Sequence, residues 1–152
     1  MNQRAPIIGV IGAGQCDSTI YQLAQDVGEE IGRRGAVLVC GGLSGVMEAA
    51  AMGTSSVGGI TVGILPGPSA HAANRHIKIA VATDMGQARN VIIAHTADGL
   101  VAVAGGAGTL SEIGHALKIG KPVVGLKTIP DLRGVHYVDT AREAINRIFE
   151  LI

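Results

Sequence analysis

The sequence predicts an α/β chain: a mostly parallel sheet, doubly wound, with helices on both faces, forming three layers in one domain over residues 1–152. Three observations carry this expectation. Short apolar runs alternate with longer stretches of helical spacing. The runs are continuously apolar, as strands buried on both faces are, and do not alternate with polar residues. The connections are rich in glycine: 23 residues, without collagen periodicity, gathered at the expected turns.

Taken in order, Ile7–Ile11 reads as a buried strand ending in Gly12-Ala13-Gly14. Ser18 to about Arg34 is helical, with Ile20, Leu23, Ala24, Val27 and Ile31 on one face and Gly35 as the stop. Ala36–Cys40 is a second strand and Ser44–Met52 a second helix. Gly58–Leu65 is a third strand, closed by Pro66-Gly67-Pro68. After a loop through Asn74 comes the apolar segment Ile77–Ala82, and Thr83 is read as the N-cap of a helix to about Thr96. Strand Gly99–Val103, helix Thr109–Ile119 and strand Pro122–Leu126 follow. A loop over Lys127–Gly134 leads to a short strand, Val135–Val138. The last helix starts near Thr140, which forms a capping-box pattern with Glu143.

Composition narrows the function. Hydrophobic residues are 47% of the chain but aromatics only 2%, so the core is aliphatic. Twelve Lys and Arg balance twelve Asp and Glu. Without a basic block or stacking aromatics, nucleic acid is not an expected partner. Cys16 and Cys40 form no CxxC and no metal-ligand spacing, which fits a reducing, cytoplasmic setting. The N-terminus lacks a signal-peptide pattern, and no run of about 18 apolar residues suggests a membrane span. The histidines (His71, His76, His95, His115 and His136) are scattered, so no metal site is expected. There is also no nucleophile elbow.

Two glycine clusters carry the chemistry. Gly41-Gly42-Leu43-Ser44-Gly45 follows the second strand, and Gly105-Gly106-Ala107-Gly108-Thr109 follows the strand Gly99–Val103. A strand that breaks into glycines and enters a helix presents unpaired N–H groups and the positive helix pole to an anion. Backbone amides of residues 106–109 and the Thr109 hydroxyl can cradle a phosphate. Arg89 reads either as a solvated helix residue or as a phosphate clamp, with Asn90 beside it as a ligand contact or a solvent-facing side chain. Glu112 reads equally as the distal half of a Thr109-Leu110-Ser111-Glu112 capping box or as a ligand-facing carboxylate. Gly12 and Gly14 read as a tight turn or as ligand-facing. A dinucleotide fingerprint is disfavoured because position 17 is Asp and the ribose-binding acid is replaced by Gly41-Gly42. Neither cluster ends in GK[ST], so there is no Walker A loop.

With these motifs in order, the chain resembles the LOG-like (lysine decarboxylase-like) Rossmann superfamily. The residues that carry the resemblance are Ala104-Gly105-Gly106-Ala107-Gly108-Thr109-Leu110-Ser111-Glu112 against PGGxGTxxE, Gly41–Met47 against GGxxGxM, and the Arg89 segment MGQARN. Within it the chain looks most like short bacterial proteins allied with the molybdenum-cofactor carrier, through Gly41–Ala50 and Ile64–Gly67. The resemblance implies a Rossmann-like fold and a homodimer or homotetramer. The function it implies is binding or carriage of a phosphorylated small ligand, a nucleotide monophosphate or a molybdenum cofactor, at Gly12, Gly14, Gly41, Gly42, Gly45, Arg89, Asn90, Gly105, Gly106, Gly108 and Thr109. The alternative is a nucleoside 5′-monophosphate phosphoribohydrolase, in which Arg89 and Glu112 would be catalytic. A third expectation is an assembly protein with a vestigial site. Two departures bear on catalysis: Ala104 stands where the enzymatic branch has proline, and Lys127–Ile152 does not match its longer C-terminal segment.

Overall fold

The computed structural model describes residues 3–152. Seven strands form one sheet: β1 (Ile7–Gly12), β2 (Val37–Cys40), β3 (Thr61–Leu65), β4 (Ile79–Ala82), β5 (Gly99–Val103), β6 (Val123–Leu126) and β7 (Val135–Tyr137). Their order is β4-β3-β2-β1-β5-β6-β7. Every neighbouring pair is parallel. The direction of winding reverses between β1 and β5, whose register runs from Ile8 opposite Gly99 to Gly12 opposite Val103. A crevice opens beyond the carboxyl ends of the strands at such a reversal, the usual ligand position in this architecture.

Among the described residues the α-helices are α1 (Ser18–Arg33), α2 (Val46–Ser56), α3 (Arg89–Thr96), α4 (Ala107–Lys118) and α5 (Ala141–Leu151). Successive residues of β5 serve opposite faces: Val101 and Val103 join the core with α1, α2 and α5, while Leu100 and Ala102 join the core with α3 and α4. Both faces are thus buried, which is why the strands read as unbroken apolar runs. No helix among the described residues is long and apolar enough to cross a membrane.

Several boundaries differ from the sequence expectation: β3 starts at Thr61 and not Gly58, α2 starts at Val46 and not Ser44, and three further differences have a clear local reason. Helix α2 does not stop at Met52 but runs to Ser56. Its Gly53 lies where a Cβ would come 2.0 Å from the Gln25 carbonyl oxygen, and Gly28 of α1 faces the Ala50 carbonyl oxygen equally closely. These glycines let α1 and α2 cross; they do not end a helix. Second, Thr83 does not cap a helix. Its hydroxyl donates to the Leu65 carbonyl at 2.7 Å, Asp84 takes φ +53°, and a 3₁₀ turn over Gly86–Ala88 precedes α3. Third, α4 begins at Ala107 with Gly106 as N-cap, two residues before the expected start. Thr109-Leu110-Ser111-Glu112 therefore lies inside the helix and makes no capping box. At α5 the expected cap forms, with the Glu143 N–H donating to Thr140 Oγ1 at 3.1 Å.

Candidate functional site

The carboxyl ends of β1 and β5 open onto a cavity of about 310 Å³. Gly12, Ala13 and Gly14 line it from the β1 loop, Gly106, Gly108, Thr109 and Glu112 from α4, and Gln87, Arg89 and Asn90 from α3 and the preceding turn. Leu43 and Met47 close it from the first glycine turn. Past Gln87, Asn90, Gly108 and Glu112 the space continues into a second hollow of about 440 Å³, lined also by Val91, Ala107, Ser111 and His115.

Arg89 opens α3 and is 6% exposed. One guanidinium nitrogen donates to the Gly41 carbonyl at 3.4 Å and another to Asn90 Oδ1. Its Nε has no partner, and a buried unpaired N–H of a charged group is costly. Burial lowers the Arg89 pKa, and the charges of Glu112 and Cys40 oppose this. The Cys40 thiol beneath it is pushed up to about 11 by burial. Its Sγ lies 3.8 Å from the Met47 carbonyl oxygen and serves packing.

Glu112 is the second charged group of the wall. Burial raises its carboxyl from 4.5 to about 7, against the pull of Arg89. The ion pairs among the described residues, all within 4.0 Å, include neither Glu112 nor Arg89. A carboxyl free of capping duty thus stands in a partly desolvated wall near a buried cation.

The N-terminus of α4 faces the same space. No side chain caps it, and a Cβ at Gly106 or Gly108 would meet nothing within 4 Å. First-turn amides and the positive helix pole are therefore accessible from the cavity. Thr109 is 4% exposed, and its side chain folds over Gly105, where a Cβ would lie 2.1 Å from Thr109 Oγ1.

The structure thus brings together Gly12, Gly14, Arg89, Asn90, Gly106, Gly108, Thr109 and Glu112. Gly41, Gly42, Gly45 and Gly105 are not among the residues that line the cavity. Gly41 yields space to the Arg89 guanidinium, and Gly45 takes φ +70° with its Cβ position 2.4 Å from the Ala13 carbonyl oxygen. Asn74 holds this turn, its Nδ2 donating to the Leu43 carbonyl at 2.8 Å. Ala13, Leu43, Met47 and Gln87 were missed. The signal was there for each, since Ala13 sits within Gly12-Ala13-Gly14, Leu43 and Met47 within Gly41–Met47 and Gln87 within MGQARN.

Ala104, the position where the enzymatic branch has proline, takes φ +52°, and Thr128 Oγ1 donates to its carbonyl at 2.6 Å. Proline, fixed near −65°, does not fit that backbone. Larger hollows lie elsewhere, about 530 Å³ beside Arg4 and Asp98 and about 580 Å³ beside Asp17 and Lys127. The first contains an ion pair already satisfied at 2.6 Å, and neither holds an unpartnered buried polar atom of the described residues. Among the described residues no cluster of His, Cys, Asp and Glu is placed to hold a metal ion.

Comparison with known proteins agrees with the resemblance read from the motifs. The chain belongs to the SLOG cluster4 family, whose pattern matches residues 5–148. An uncharacterized protein of Archaeoglobus fulgidus is 52% identical over 139 residues, 91% of each chain. Among solved structures, the molybdenum cofactor binding protein of the phototrophic bacterium Rippkaea orientalis superposes with a TM-score of 0.93 at 36% identity, covering 99% of both chains. The molybdenum cofactor carrier protein of Chlamydomonas reinhardtii gives 0.89 at 38%, covering 97% of this chain and 98% of its own. These neighbours share the whole Rossmann-like architecture.

Proposed function

We propose that this member of the SLOG cluster4 family binds and carries a phosphorylated small molecule, of the molybdopterin type, with its phosphate seated at the N-terminus of α4. The observation that carries the reading is Arg89, 6% exposed, with an unpartnered Nε beside the uncapped first turn of that helix. A buried guanidinium with spare donor capacity suits an anion, and the backbone amides add directed donors. The cavity of about 310 Å³ with its 440 Å³ extension has room for a phosphate arm and a ring system. The likeness to two molybdenum cofactor binding and carrier proteins at 36% and 38% identity supports the ligand class. In this reading Arg89 and the α4 amides hold the phosphate, while Asn90 and Gln87 face the rest of the ligand. Molybdenum cofactor and its phosphorylated pterin form are the ligands to test, with retention on the protein read by pterin fluorescence after gel filtration. Arg89→Met should retain markedly less ligand. Equal retention by the variant would remove the anion site from the account.

One observation favours a second reading. Glu112 makes no capping box and is held near neutrality, as a carboxyl acting on a sugar–base bond would need to be. Incubation with AMP and related monophosphates, following free base and ribose 5-phosphate, separates the two. Binding without release fits the carrier. Release that disappears in Glu112→Gln makes the chain a phosphoribohydrolase.

A further inference from the structure

The wall of the cavity holds one buried cation and one carboxyl, and this fixes what an incoming anion must bring with it. With Arg89 charged and Glu112 ionised, the two groups sum to zero, so a dianion gains nothing from their net charge. It also faces the carboxylate in a region where like charges are weakly screened. Among the described residues no hydrogen bond holds Glu112 away from the space, and it lines both the cavity and its extension. The titratable groups around it are few. Arg89 faces it from α3, with Cys40 of β2 behind the guanidinium. His115 stands one turn further along α4, with His95 of α3 against it at 5.8 Å between ring centroids. The strands beneath, β1, β5 and β6, contribute only apolar residues and glycine.

We propose that an anion enters this cavity together with one proton, taken from solvent onto a Glu112 carboxyl oxygen. The buffer acid gives up the proton, no other bond changes, and the neutral carboxyl can then donate a hydrogen bond to the anion. The wall then presents a net positive charge to the ligand where before it presented none. The carboxyl, raised by burial, already stands near the point of protonation at neutral pH, so the uptake is small in cost. The inference rests on the anion-site reading above and specifies the conditions under which that site loads and empties: it holds its ligand in mildly acidic surroundings and releases it in alkaline ones.

Inorganic sulfate is the probe, because it keeps both charges throughout the range of interest and contributes no titration of its own. Calorimetry between about pH 5.5 and pH 9, in buffers of different ionisation heat, should show close to one proton taken up per sulfate at alkaline pH. Affinity should fall about tenfold per unit above the Glu112 range. Glu112→Gln should bind sulfate almost independently of pH, near the affinity of the unaltered chain in acid. Proton uptake in the unaltered protein needs no variant, so it decides the matter even if Glu112→Gln does not fold. Equal binding at pH 6 and pH 8.5 without uptake overturns the proposal, as does a pH dependence that survives in Glu112→Gln. If neither protein binds sulfate at any pH, the anion site itself is wrong and this inference falls with it.

Discussion

The two glycine turns look alike as sequence and differ in what their missing side chains make room for. In the first, the space is filled by the protein itself: the Arg89 guanidinium lies against Gly41, the Leu65 side chain against Gly42 and the Ala13 carbonyl against Gly45. In the second, Gly105 makes room for Thr109, but Gly106 and Gly108 border open space. One turn is scaffold, and the other leaves its backbone bare toward the cavity. A glycine-rich loop thus has two physical uses, close packing and ligand approach, and only the surroundings distinguish them. The scaffold turn still serves the site at one remove, since the Gly41 carbonyl accepts from the arginine that lines the cavity.

The sharpest test is Gly45→Ala. A Cβ would clash with the Ala13 carbonyl at 2.4 Å on a backbone at φ +70°, so unfolding stability should drop by about 3 kcal/mol in urea titrations. Little change in stability would mean that this turn has slack and is no scaffold.

Glu112→Gln should have the next effect, and it depends on pH. The carboxyl is raised from 4.5 to about 7 in the folded chain. The stability it contributes is therefore complete below 4.5 and lost as pH rises through about 7. Glutamine has no such loss, so the variant should be the more stable protein at pH 8, by about 2 kcal/mol, with the gap closing towards pH 4.5. Parallel thermal melts at the two pH values measure it, and a constant gap would refute the raised carboxyl.

Arg89→Met should fold and weaken a phosphorylated ligand by about 10- to 100-fold, read by titration, because a buried charged donor is removed. Gly108→Ala gives the smallest shift in stability and the cleanest contrast. Alanine in an open helical position should stabilise α4 by about 0.5–1 kcal/mol while its methyl group obstructs the cavity. Higher melting temperature with weaker ligand binding is the expected pair. Unchanged binding would place the ligand away from this turn.

Much of this was legible because strands buried on both faces leave an apolar signature that survives without alignment. β2 and β5 appear within a residue of their expected limits. Helix ends were harder where side chains decide them at a distance. Thr83 reads as a cap until its hydroxyl is seen on Leu65, a partner 18 residues away. The second helix, expected to end at Met52, runs on to Ser56 through Gly53, which lies against α1. The Thr109–Glu112 capping pattern dissolved because Gly106, with no side chain to signal a cap, starts the helix earlier. Which glycines border open space was not legible, since that depends on Leu65, Ala13 and Arg89 arriving from other parts of the chain.

The position of β1 in the sheet has a bearing on how the chain reaches this state. β1 is made first, yet one of its two partners, β5, is made long after: the contact of the Ile7 amide with the Asp98 carboxylate spans 91 positions. During synthesis the segment β1–β4 can pair within itself while the β5 side of β1 still has no partner, leaving a long apolar edge open to other nascent chains. Closure of the sheet, and of the crevice between β1 and β5, is therefore a late event with a high entropic threshold. Slow translation between Cys40 and Gly99 would prolong that vulnerable interval, and a chaperone that shields the growing edge would shorten its consequences.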